Sequence, residues 1–325
     1  MDYSKILNIN SGNAVCYSGY REGQTPGISF PTYNQVKEDL LIIEKNWKYI
    51  RLYSCDHHSK TVLEVIEQEK LNIKVMLGCY IEAEVNNYSC PWGGEHSDEK
   101  LELNKKGNLN RVNLLCELAN TYPNIIFSLS VGNEACVSWT DHMVPVESVI
   151  EYVKIVKKKA KQPVTFCENY VTWVNKLEKL VDVLDFISIH TYPQWENVFI
   201  DDAIKYTIEN YNLVKERYPN KLIVITEAGW ATSTNDIEIK KNNTNEHFQK
   251  IYYKQLLKWS EDEKILTFVF EAFDEPWKGS DDPNEPEKHW GLFKEDRTPK
   301  HTMKQEIYPE IKNLIRHLQI WLKLL

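Results

Sequence analysis

Residues 125–131, IIFSLSV, run into Gly132-Asn133-Glu134; residues 146–160, VESVIEYVKIVKKKA, follow and lead to residues 164–168, VTFCE. The first and last runs are apolar on consecutive positions, as strands buried on both faces must be. Between them Val146, Val149, Ile150, Val153, Val156 and Ala160 keep the i, i+3, i+4 spacing while lysines fill the other face, the pattern of a helix packed outside a sheet. Working outward from this strand–helix–strand unit, the same alternation fills the chain. The candidate strands are Ala14 to Ser18, Tyr49 to Tyr53, Ile73 to Tyr80, Ile125 to Val131, Val164 to Glu168, Phe186 to His190, Leu222 to Thr226 and Leu266 to Glu271. Eight parallel strands in one sheet favour closure, so the expected fold is α/β, a (β/α)8 TIM barrel.

At 325 residues the chain suits one such barrel, and no linker or low-complexity tract divides it. We expect a single domain over 1–325, ending in a short amphipathic helix at about 309–325. That tail is too short and too charged to span a bilayer; it reads either as a helix docked on the barrel or as a basic amphipathic membrane contact. A formal charge of -8 disfavours a nucleic-acid backbone or an anionic membrane as partner, and a neutral substrate fits better. Ten Trp and 18 Tyr could serve sugar stacking as well as core packing. The seven cysteines show no C-x-x-C pair, which points to free thiols and a reducing, cytoplasmic compartment. No long apolar run follows Met1 to Lys5, so no signal peptide is visible, although a trimmed one would leave the same sequence. The N-x-[ST] patterns at Asn87 and Asn242 are no more frequent than chance.

In a barrel of this kind, function gathers where strands end and loops begin. The fourth strand runs to Glu134, and the seventh, from Leu222, runs through Thr226-Glu227-Ala228-Gly229-Trp230. Each places a carboxylate at the rim. Burying one there is costly unless it faces a cleft or has partners, and two at one mouth make the pair that glycoside hydrolysis requires. One would donate a proton to the leaving oxygen while the other stays ionised to attack the anomeric carbon. A rim salt bridge for one or both is the alternative reading.

Val131-Gly132-Asn133-Glu134, Thr226-Glu227-Ala228-Gly229-Trp230 and Phe270-Glu271-Ala272-Phe273-Asp274-Glu275-Pro276-Trp277-Lys278 resemble glycoside hydrolase family 17, which contains β-1,3-glucanases and glucanosyltransferases. The resemblance runs from Tyr17-Ser18-Gly19-Tyr20 through Ile50-Arg51-Leu52-Tyr53 to Trp290-Gly291-Leu292-Phe293. Asp274 and Pro276 stand where plant members usually have Asn, which puts the chain closer to the bacterial or fungal branch. The resemblance implies Glu134 as general acid/base, Glu227 as nucleophile, and Asn133 as the residue that bonds the sugar 2-hydroxyl; a turn-forming Asn is the plainer reading of the last. Glu275 and Lys278 match charged positions kept near the catalytic pair, where Lys278 either holds Glu227 ionised or simply pairs with Glu275.

Tyr192 is a candidate to bond Glu227, and Tyr17, Tyr53, Trp195, Trp230 and Trp277 are candidate cleft walls, with core packing the alternative for each. His57-His58 suggest a loop rather than a metal site, since neighbours on an extended segment point apart and no third ligand is spaced to join them. The expected function is retaining hydrolysis of β-1,3-glucosidic bonds in a β-glucan or oligosaccharide by a monomer, without metal or organic cofactor. A β-1,3-glucanosyltransferase and a non-catalytic glucan-binding barrel are the rivals. A retaining mechanism places the two carboxyl groups about 5–5.5 Å apart.

Overall fold

Period-two alternation within each apolar run decides which side chains enter the barrel and which meet the helices. The computed structural model describes residues 2–304; the expected helix at 309–325 lies outside the described residues. The strands are β1 (Ala14–Cys16), β2 (Tyr49–Leu52), β3 (Lys74–Cys79), β4 (Ile126–Asn133), β5 (Val164–Asn169), β6 (Ile187–His190), β7 (Ile223–Gly229) and β8 (Thr267–Phe270). Each pairs in parallel with its sequence neighbours, and β8 returns to β1, closing a (β/α)8 barrel. All eight expected strands are present. Their ends differ most at β4 and β7, where register shifts between Ser130 and Asn133 and between Ile225 and Ala228 carry pairing past the apolar run.

The returning helices are α2 (Tyr33–Ile43), α3 (His57–Glu69), α4 (Asp98–Thr121), α5 (Val146–Lys159), the short pair α6 (Tyr170–Asn175) and α7 (Glu178–Val181), α8 (Ile200–Arg217) and α9 (Glu246–Asp262). A leading turn of helix, α1 (Tyr3–Leu7), buries Tyr3 and Leu7. His57 and His58 are not loop residues. Asp56 caps the helix they open by accepting from the Ser59 amide, and His58 packs against Tyr17 and Tyr20. No helix among the described residues is long and apolar enough to cross a membrane.

Two buried clusters follow from the alternation. Val15, Ile50, Leu52, Val75, Leu77, Ile187 and Ile225 belong to the larger one, which takes in the apolar faces of the helices. Cys16, Tyr49, Met76, Cys167, Phe186, Val224, Phe268 and Phe270 form the second, the barrel interior, together with Tyr3 and Leu7 of α1. Because Tyr49, Arg51 and Tyr53 alternate with Ile50 and Leu52, the arginine of β2 faces the same way as the interior residues.

Asp39, fully buried on α2, joins distant parts of the chain. It accepts from Arg297 Nε at 2.7 Å and Nη2 at 2.6 Å, from Arg21 Nη2 at 2.8 Å and from the Tyr17 hydroxyl at 3.0 Å. Removing one partner of a buried pair leaves a charge uncompensated and costs about 3–5 kcal/mol. Asp39→Ala is therefore expected to lower unfolding free energy by about that much in a urea titration. A loss below about 0.5 kcal/mol, the range of an ordinary surface substitution, would contradict the assignment of Asp39 as an anchor.

Candidate active site

The ends of β2, β4, β6 and β7 supply the charged groups of the barrel mouth. At the end of β4, Gly132 adopts φ 96°, and a Cβ there would lie 2.7 Å from the Phe166 ring. Only glycine fits this conformation and contact. Two residues on, Glu134 sits at φ 46°, in the left-handed region that non-glycine residues rarely occupy, with its amide donating to Cys167 O at 2.9 Å. The tight turn directs the half-buried Glu134 carboxylate at His190 Nδ1, 2.9 Å away. Glu227, on β7, is buried at 6% exposure.

One oxygen of Glu134, one ring nitrogen of His190 and one oxygen of Glu227 all lie within 4.8 Å of one another. Three donors hold Glu227. Arg51 Nη1 reaches Oε1 at 2.5 Å, the Tyr192 hydroxyl donates to Oε2, and His190 Nε2 faces Oε1 at 3.5 Å. Burial opposes ionisation of Glu227, but the charges of His190 and Arg51 and the Tyr192 hydrogen bond outweigh it, so its pKa falls well below the carboxylate range. For His190, burial alone would expel the proton; the charge of Glu227, contact with the Cys167 thiol and the bond to Glu134 overcome this and lift its pKa to about 10. His190 is thus an imidazolium at neutral pH, lying between the side chains of Glu134 and Glu227.

Glu134, His190 and Glu227 have the donor atoms of a metal site, but the charge around them works against a cation. His190 carries a proton, and Arg51 is in contact with Glu227. A divalent ion would have to displace one positive charge and sit beside another.

The remaining predicted residues divide. Asn133 accepts from Arg51 Nη2 through Oδ1, which leaves its amide N–H groups without a partner among the described residues and free to donate to a sugar hydroxyl. Tyr192 bonds Glu227 and packs edge-on to Trp290, against which Trp195 also lies at 5.9 Å. Tyr53 lies under the Arg51 guanidinium, 4.3 Å from its ring, and its hydroxyl has no hydrogen-bond partner among the described residues. Trp277 is half-buried and donates to Glu275 Oε1 at 2.9 Å.

Three expectations need correction. Tyr17 and Trp230 are each 1% exposed and do not form cleft walls. Tyr17 spends its hydroxyl on Asp39, and Trp230 donates to Asn243 O and packs on Tyr252, so both polar tips are satisfied inside the fold. Lys278 does not reach Glu227. It pairs with Glu275, lies 3.4 Å from Glu271 Oε1 and sits 4.5 Å from the centre of the Phe270 ring, because the turn after β8 brings positions i and i+3 together. Glu271 is fully buried, and burial with the neighbouring Glu275 pushes its pKa well up, whereas the charge of Lys278 outweighs burial at Glu275 and holds its pKa down.

Arg51, His190 and Glu287 were not singled out from the sequence as site residues. Arg51 interrupts an otherwise apolar strand and His190 ends another, both on inward positions, so the signal was polar residues at the interior phase of buried strands. Glu287 comes from the loop after β8; burial, then the fields of Glu227, Glu134 and Glu275, outweigh the pull of Lys278 and raise its pKa to about 7. A surface depression lined by Ile6, Lys157, Gln162 and Asp185 lies at the opposite, N-terminal ends of the strands and brings no such group of charges together.

A family model for the BtgE/BtgC glycoside hydrolase domain matches residues 14–291. Among named relatives, the putative glucan endo-1,3-beta-glucosidase btgC of Aspergillus niger is 27% identical over 296 residues, covering 84% of this chain and 40% of that protein. The probable glucan endo-1,3-beta-glucosidase btgC of Aspergillus terreus is 26% identical and again covers 84% of this chain but 42% of its own length. The chain therefore spans about two fifths of the length of these curated relatives. Among solved structures, an endo-laminarinase from Formosa Hel1_33_131 superposes with a TM-score of 0.81 at 25% identity, covering 94% of this chain and 88% of that one. A glycoside hydrolase family 17 β-1,3-glucanosyltransferase from Rhizomucor miehei, at 21% identity and TM-score 0.70 over 90% of this chain and 96% of that one, shares the fold.

Proposed function

Because the chain belongs to the family of BtgE/BtgC glycoside hydrolase domains, we propose that it is a single catalytic barrel within glycoside hydrolase family 17 that hydrolyses β-1,3-glucosidic bonds with retention of configuration. The observation that carries the mechanism is the separation of at most 4.8 Å between one carboxyl oxygen of Glu134 and one of Glu227. Retaining enzymes hold their carboxyls about 5–5.5 Å apart, whereas inverting ones need about 6.5–9.5 Å to seat a water between carboxylate and sugar. Relatives named glucan endo-1,3-beta-glucosidase and a solved endo-laminarinase support the linkage.

In the first step Glu227 attacks the anomeric carbon while Glu134 gives its proton to the glycosidic oxygen, so the C–O bond breaks as the ester forms. Arg51, His190 and Tyr192 keep Glu227 anionic and fix its orientation until then. In the second step Glu134 takes a proton from water, whose oxygen displaces Glu227 and restores the β configuration. His190, bonded to one carboxylate and facing the other, stabilises whichever is charged as the negative charge moves between them. Asn133, anchored by Arg51, is placed to hold the hydroxyl beside the reacting carbon.

Incubation with laminarin oligosaccharides tests this reading. Release of reducing ends is expected, at a rate at least about tenfold above that on β-1,4-linked glucan or xylan. Longer products would indicate a glucanosyltransferase, unchanged oligosaccharides a binding barrel, and equal turnover of cellulose oligomers would remove the linkage assignment.

A further inference from the structure

The loop joining β3 to α4 exposes Tyr88 to 78% and Trp92 to 62%, although buried and half-buried positions take most aromatic side chains of this protein. Large exposed aromatics on a loose loop would carry little meaning, but this loop is fastened on both flanks. Glu84 N donates to Met143 O at 3.0 Å, and the Asn87 amide donates to Ser138 O at 2.9 Å and to Thr140 O at 2.6 Å. Asn87 N meets Gly94 O at 2.7 Å, His96 N meets Asn86 Oδ1 at 2.7 Å, and His96 Nε2 lies 3.0 Å from Asp141 O. At φ 95°, Gly94 brings its backbone so close that a Cβ would stand 2.7 Å from Asn87 O. Asn87, although it begins an N-x-S pattern, is 7% exposed and commits its side chain to this anchoring. Tyr88 and Trp92 therefore stand out from a fixed base, which removes the ordering cost that a flexible loop would pay on binding.

The base is also continuous with the catalytic mouth. Asp141, whose carbonyl meets His96, bonds His142 Nδ1 at 2.7 Å, and His142 Nε2 donates at 2.8 Å to the carbonyl of Asn133, the residue before Glu134. Tyr80, at the end of β3, stacks on the His142 ring with centres 4.7 Å apart. The segment that fastens the base of the exposed pair, Thr140 to His142, is thus the one that touches the residue beside Glu134. Exposed Glu95 on the loop and Asp141 on the segment that fastens it offer acceptors for hydroxyls while repelling phosphates and anionic surfaces. Flat aromatic faces with nearby acceptors fit a neutral polyhydroxylated ring.

We infer that Tyr88 and Trp92 are a distal docking platform on which pyranose rings of the glucan chain stack, beyond the sugars held at Glu134 and Glu227. The identity of the ligand rests on the proposed substrate; the platform itself rests on exposure, anchoring and continuity with the mouth. It makes the protein favour long chains over short ones, because only a long chain reaches both sites.

Binding is measured by calorimetry in the Glu227→Gln protein, which separates affinity from turnover, with laminariheptaose and laminaritriose as probes. Tyr88→Ala/Trp92→Ala is expected to weaken heptaose binding about tenfold, as loss of aromatic contact does, and to weaken triose binding much less. Trp92→Phe, which keeps a flat face, should retain most of the heptaose affinity. Equal heptaose affinity with and without the two aromatics, or equal weakening of both probes, would overturn the platform. Turnover by the native chain is scored separately: if it cleaves no laminarin while heptaose binding still depends on Trp92, the proposed function fails and the platform stands.

Discussion

Glu227→Ala is expected to lose turnover of β-1,3-glucan by a factor on the order of 10⁵ or more, the scale seen when a covalent nucleophile is removed from other enzymes. No other carboxylate can replace it from its place on β7, because Glu134 is directed at the opposite partner through His190. Glu134→Ala should lose about 10²–10⁴-fold on the same substrate, the usual worth of general acid–base catalysis. On an aryl glycoside whose leaving group needs no proton, its first step should run at near-native rate and the second should become limiting. The two variants thus separate by substrate: one fails on every glycoside, the other chiefly on those with poor leaving groups. Near-native activity of both on glucan would show that the pair is a structural ion cluster. Glu134 is half-buried, so its variant should melt close to the native protein, whereas Glu227→Ala leaves the buried Arg51 unpaired and should melt lower; a folded circular dichroism spectrum at the assay temperature is the accompanying control.

Arg51→Met follows the two carboxylates in expected effect, and it reaches both stability and pH dependence. The guanidinium is 1% exposed and contacts Glu227 Oε1, Asn133 Oδ1 and Thr226 O. Methionine keeps much of the length and none of the charge, leaving Glu227 buried with His190 as its remaining cation. Breaking such a pair costs about 3–5 kcal/mol, and if even the lower figure is expressed in the transition state, kcat/KM falls by about 10². The sign of the pH effect follows from the direction of the shift. Glu227 has a folded-state pKa depressed below its unfolded value, so its stabilising charge is complete above the ordinary carboxylate pKa and is lost only as pH falls through the depressed one. In the native protein the acid limb set by Glu227 should therefore lie well below the ordinary carboxylate pKa; in Arg51→Met it should move upward. Arg51→Lys should recover only part of the loss, since a single ammonium cannot serve Glu227 and Asn133 as a fork does. An acid limb unmoved by Arg51→Met would show that His190 and Tyr192 alone set the charge of Glu227.

The barrel was legible because its strands are apolar on consecutive positions and its helices keep one polar face, as α5 does with its lysines. The rim carboxylates Glu134 and Glu227 were legible because they follow runs in which a charge is costly. Arg51 and His190 were hidden by the same logic. Each lies within or at the end of an apolar run, and the inward phase of β2 and β6 becomes evident only when the strands are set in register around the closed barrel. The aromatics show the opposite limit. Tyr17 and Trp230 adjoin strand ends just as Tyr192 does, and nothing local tells that Asp39, 22 residues from Tyr17 in sequence, and Asn243 take their polar atoms into the core. Lys278 and Glu275 were adjacent enough in sequence to suggest their ion pair; the distance from that pair to Glu227 was not.

The most direct test of the retaining pair is the configuration of the sugar azide formed when azide rescues the two alanine variants on an activated β-glucoside. With Glu227 gone, azide enters the vacated side of the sugar and gives the α-glucosyl azide. With Glu134 gone, Glu227 still forms its ester, and azide displaces it from the opposite side to give the β-glucosyl azide. Proton NMR of the anomeric signals distinguishes them. Opposite anomers from the two variants, in that assignment, are the predicted result; the same anomer from both, or the reverse assignment, would contradict the roles of Glu134 and Glu227.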